Sequence, residues 1–94
     1  MAKIIGIDSL SGQQKHTLEE ALGFAVQHHR AGNLSKAESI YRQILQTDPN
    51  QPEALNLLGL IAHQAGKINI AVKLIKKAIG FKPDYAEAHS NLGL

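Results

Sequence analysis

The residues of this 94-residue chain best suited to chemistry are its five histidines and a run of lysines, Lys67, Lys73, Lys76, Lys77 and Lys82. His28 and His29 are adjacent, so on a helix they point about 100° apart and cannot share one ion. His29 and His63 stand 34 residues apart, too far for direct co-ligation if that interval is one structural repeat. Cysteine is absent, which removes disulfides, thiolate metal sites and thiol catalysis. No Ser or Thr has the context of a nucleophile, and no glycine-rich phosphate loop occurs. Neither a metal, a cofactor nor an enzymatic activity is expected. The lysine run holds no acid, but it lacks the interleaved aromatics that stack on bases. It reads as a hydrated outer helix face, and with a formal charge of only +2 neither nucleic acid nor membrane is expected as a partner.

The elements that must carry these side chains are helical. No run approaches the ~18 apolar residues of a membrane span, and the opening Met-Ala-Lys-Ile-Ile-Gly-Ile-Asp is too short for a secretory signal. A cytoplasmic location is the default. Residues 1–10 have no helical period and are expected to form a flexible segment ahead of a helical domain over 11–94. Ser11 with Gln14, and Thr17 with Glu20, both form capping boxes. The first helix therefore starts near Gly12 or near Leu18, with the earlier start preferred. It buries Ala21, Phe24, Ala25 and His28 and ends at Gly32-Asn33. Further helices are predicted over about 35–47 (burying Ala37, Ile40, Tyr41, Ile44 and Leu45), 52–65 (Leu55, Leu58, Gly59 and Ala62) and 69–81. A fifth begins at Tyr85 or Ala86. Asp48-Pro49-Asn50 and Lys82-Pro83-Asp84 break the chain between them.

The chain repeats itself at an offset of 34: Glu19 with Glu53, His29 with His63, Ala31 with Ala65, Gly32 with Gly66, Ala37 with Ala71, Pro49 with Pro83. A fixed period of this size marks a solenoid whose units bury apolar faces against their neighbours. With small residues at Ala25, Gly59, Ala37, Ala71 and Ala78 and glycine at Gly32 and Gly66, the chain resembles the tetratricopeptide repeat (TPR) family. The resemblance implies an all-α, short right-handed solenoid of antiparallel helix pairs, with repeats over 18–51 and 52–85 and a partial repeat over 86–94. Ile44 replaces the usual small residue of the first unit. The aromatics common at two other positions are replaced by Ala21, Leu55 and His89 and by His28 and Ala62, which predicts thinner ring stacking. The wording of residues 41–60 also looks like bacterial TPR arrays that precede glycosyltransferase, sulfotransferase or methyltransferase domains.

In that family the first helix of each pair lines a concave groove. Carried over, the resemblance places Glu19, Leu22, Val26, His29 and Arg30 there from the first unit. The second unit supplies Glu53, Asn56, Leu60, His63 and Gln64, and the fragment Glu87, Ser90 and Leu94. Such a groove has an apolar floor, an acidic row and a histidine row, and fits a peptide with apolar anchors and a basic flank. The lysine–asparagine clamp that grips chaperone C-terminal tails is replaced by Leu22 and Val26, so that partner is not expected.

The fourth helix has more apolar positions than one buried stripe requires: Ile68, Ile70, Ala71, Val72, Leu74, Ile75, Ala78 and Ile79. Self-association is therefore expected, as a homodimer or a helix-exchanged oligomer, through Ile70, Leu74, Lys77, Leu92 and Leu94. The function expected is a non-catalytic scaffold that binds a peptide or protein in the groove. The alternative is an oligomerisation or targeting segment of a longer, enzyme-bearing protein.

Overall fold

The structure, a computed structural model, describes residues 17–93. Five helices follow one another: α1 (Leu18–Arg30), α2 (Leu34–Thr47), α3 (Pro52–Gln64), α4 (Ile68–Phe81) and α5 (Ala86–Leu92). No strand occurs among the described residues. The chain divides into two compact units, one reaching Pro49 and the other starting at Asn50. The predicted segment 1–10 lies outside the described residues, as does Leu94.

α1 begins at Leu18, not near Gly12. Thr17 is extended (φ −76°, ψ 168°), and its hydroxyl accepts from the Glu20 amide at 3.2 Å. The Glu20 carboxylate in turn accepts from the Thr17 amide at 2.9 Å. Both orphan donors of the first turn are thereby satisfied, which fixes the start. The competing capping box at Ser11 lies outside the described residues.

In the first unit α1 packs on α2, joined by a three-residue reversal. The turn is a Schellman motif: the Asn33 amide donates to the His28 carbonyl at 2.8 Å, and Gly32 donates to His29 at 3.1 Å. Gly32 takes φ +84°, a left-handed conformation that costs other residues about 1 kcal/mol or more. The core is Ala21, Ala25, Ala37, Ile40, Tyr41 and Ile44, all buried. Phe24, His28 and Leu45, expected with them, are half-buried.

The second unit repeats the device. Lys67 donates to the Ala62 carbonyl at 2.8 Å and Gly66 to His63 at 3.0 Å, with Gly66 at φ +81°. Pro52 opens α3, where its missing donor goes unneeded, and the Gln51 side chain accepts from the Ala54 amide at 3.1 Å. α4 packs closely on α3, because Gly59 has no side chain to hold it off. A Cβ there would lie 2.7 Å from Ile75 Cγ1 and 3.3 Å from the Ala71 carbonyl oxygen. α5 packs mainly on α4 and touches α3. The core of this unit is Ala54, Leu55, Leu58, Ile61, Ala62, Ala71, Ile75, Ala78, Tyr85 and Ala88. Each buried branched side chain contributes about 1.5–3 kcal/mol through removal of apolar surface from water.

Candidate protein-binding surfaces

On α1, Glu19 and Arg30 are exposed, while Leu22, Val26 and His29 are half-buried. His29 is engaged within its own pair: its Nδ1 lies 3.4 Å from the Tyr41 hydroxyl, and the two rings meet edge to face. His28 faces differently, accepting at Nδ1 from the Asn33 side-chain amide at 3.5 Å. The helix offers an apolar strip of Leu22 and Val26 between an acid at its start and a cation at its end. This polarity also suits the helix dipole.

On α3, Leu60 and His63 are half-buried and Gln64 is exposed. Asn56 requires a correction. It was expected to point into a groove, but it is fully buried and its side chain is committed inside the unit. Its Nδ2 donates to the Tyr85 hydroxyl at 3.4 Å, and its Oδ1 accepts from Asn91 Nδ2 at 3.1 Å. A buried amide needs such partners, and here they come from the turn before α5 and from α5 itself. Asn56 therefore joins α3 to α5 and is not a surface contact.

Tyr85 is the centre of this seam. Burial raises its hydroxyl above the ordinary 10.0; the Asn56 hydrogen bond opposes this, and Glu87 and Glu53 reinforce it. Glu53 lies in the first turn of α3 and Glu87 in the first turn of α5. Lys82 completes the group. Its ammonium lies 4.8 Å from the centre of the Tyr85 ring and 3.7 Å from a Glu53 oxygen. His89 Nε2 donates to the Pro83 carbonyl at 2.7 Å, anchoring α5 to the preceding turn. Glu87 and Ser90 remain exposed.

Of the residues expected to self-associate, Ile70, Leu74 and Lys77 lie on α4 and Leu92 on α5, while Leu94 lies outside the described residues. Ile70 and Lys77 are exposed, and Leu74 and Leu92 are half-buried. Among the described residues no group of three or more His, Asp or Glu is placed to hold a metal ion. No helix there is long and apolar enough to cross a membrane.

Paired helices, matched turns and a row of small residues at the helix crossings define an all-α helical-repeat protein. The tetratricopeptide repeat family matches residues 28–93, and the chain belongs to that family. Over 77 residues it is 38% identical to the UDP-N-acetylglucosamine--peptide N-acetylglucosaminyltransferase of Caenorhabditis elegans. The match covers 82% of this chain but 7% of that enzyme, so it does not carry a transferase activity across. TPR units are non-catalytic and generally mediate protein–protein interaction.

Proposed function

We propose that this chain is a binding scaffold that takes a peptide on the first helices of its pairs. In the second unit the surface is the α3–α5 layer: Glu53, Leu60, His63 and Gln64 on α3, with Glu87 and Ser90 on α5. The observation that carries this reading is the joining of α3 to α5 through Asn56, Tyr85 and Asn91, with Glu53 and Glu87 each in the first turn of its helix. A ligand with apolar anchors and a basic flank complements that arrangement. On α1 the matching set is Glu19, Leu22, Val26, His29 and Arg30. Leu22 and Val26, apolar where a clamp would be charged, turn the surface away from chaperone carboxylate tails. A cytoplasmic setting is part of the same proposal.

The test is selection from a displayed random-peptide library on the full chain, followed by calorimetry. Enriched peptides are expected to pair Lys or Arg with aliphatic residues, and Leu60→Asp or Glu87→Lys is expected to weaken them by about tenfold. Enrichment indifferent to both substitutions would refute the reading. A second reading is favoured by the small share of the nematode transferase that this chain matches. In it the helix pairs serve as an oligomerisation or targeting segment of a longer, enzyme-bearing polypeptide. Coding sequence continuing in frame beyond Leu94 into a catalytic domain would support it.

A further inference from the structure

The large apolar side chains left exposed among the described residues, Ile68, Ile70 and Phe81, all lie on α4. Two of them belong to a regular pattern. Ile70, Leu74, Lys77 and Phe81 follow one another at intervals of four, three and four, the spacing that lines up knobs along one helical seam. At 1.5 Å per residue the seam runs about 16 Å. On one flank it is bordered by Ala71 and Ala78, both buried; on the other stands Lys73, exposed. No Asp or Glu occurs anywhere on α4. Lys73, Lys76 and Lys77 are all exposed, and among the described residues the ion pair of this unit joins Lys82 to Glu53.

A seam with an apolar line and a cation in its middle selects its occupant by charge. We propose that the α4 seam docks an acidic amphipathic helix of another protein, with apolar residues against Ile70, Leu74 and Phe81 and a carboxylate against Lys77. Lys73 accepts a second carboxylate at the edge. This surface lies on the second helix of its pair and is independent of the peptide surface proposed above. A second copy of the chain presenting the same seam would set lysines against lysines, which is unfavourable at close range. An anionic lipid surface fits less well. The apolar line is one residue wide, and sinking it into the acyl boundary would take Lys77 down with it.

Fluorescence anisotropy with the full chain tests the assignment. The probe is a labelled helical peptide with Leu at alternating intervals of four and three and Glu at the flanking positions. A matched peptide carries Lys in place of Glu. The acidic probe is expected to bind saturably and the basic one not. The double variant Lys73→Glu, Lys77→Glu is expected to reverse that preference, weakening the acidic probe by about tenfold or more. Both lysines are exposed, and circular dichroism checks that the helices are retained. Leu60→Asp is expected to leave acidic-probe binding unchanged, which separates this surface from the α3–α5 layer. The proposal is overturned if the acidic probe fails to saturate or if the double variant binds it as the parent does. It is equally overturned if Ile70→Asp dissolves a dimer seen by sedimentation, or if phosphatidylserine-rich vesicles bind the chain while the acidic probe does not.

Discussion

Asn91 donates its side-chain amide to the Asn56 carbonyl oxygen at 3.1 Å, across 35 residues of sequence. The other end of the Asn56 amide is held by Tyr85 at 3.4 Å. Removing one partner leaves a buried polar group unsatisfied, at a cost of about 1–3 kcal/mol. Asn56→Ala is expected to destabilise the chain by that amount and Asn91→Ala by less, since Asn91 is half-buried. The double variant should cost less than the sum of the two. Urea denaturation followed by circular dichroism reads all three, and strict additivity would show that the bond contributes nothing.

Tyr85 makes stability fall in alkali. Its folded hydroxyl holds the proton more tightly than the unfolded one, chiefly because it is buried. Above pH 10.0 the unfolded chain releases that proton while the folded chain keeps it, so the folded state binds more protons. Stability from this group is therefore intact below pH 10.0 and declines as pH rises through it toward the higher folded value. Tyr85→Phe should flatten that part of the profile. Urea midpoints measured on either side of pH 10.0 for both proteins check it.

Three glycine-to-alanine substitutions should differ in sign. Gly59→Ala drives a methyl into Ile75 and is expected to cost about 1–3 kcal/mol. The penalty should shrink in an Ile75→Ala background, where the obstructing atom is gone. Gly66→Ala strains a left-handed turn and should cost about 1 kcal/mol. Gly80→Ala meets nothing within 4 Å on an exposed helical face and should stabilise by about 0.4–1 kcal/mol. Thermal melts of the three proteins rank them.

Thr17→Ala removes one half of the capping box and should lower stability by about 0.5–2 kcal/mol. Hydrogen exchange should place the loss in the first turn of α1. Protection spread evenly over α1 and α2 would mean that the cap does not set where the helix begins.

Helix boundaries were readable where local chemistry alone decides them. The ends of α1 and α3 follow from Gly32 and Gly66, and those of α2 and α4 from Pro49 and Pro83; the predicted spans of α2, α3 and α4 match to within a residue. The start of α1 was misjudged because Ser11 and Thr17 carry the same local pattern, and only the geometry of Thr17 distinguishes them. The role of Asn56 was hidden for a different reason. Its partners lie 29 and 35 residues away, so no local window contains them. A tyrosine directly before a helix start, with an amide six positions further on, was the available signal. The seam on α4 was visible as an excess of apolar positions, but which of them stay uncovered depends on packing.

The close approach at Gly59 has a bearing on how the chain avoids tangling with itself. Similar helices invite wrong partnerships, a recognised hazard of repetitive proteins. Here a Cβ on Gly59 would lie 2.7 Å from Ile75 Cγ1, whereas the corresponding place on α1 is taken by Ala25, itself fully enclosed. Tyr41, in turn, reaches a ring nitrogen that His29 supplies. The two hairpins thus differ in the residues that meet at their crossings, small against branched in the second and a ring against a ring nitrogen in the first.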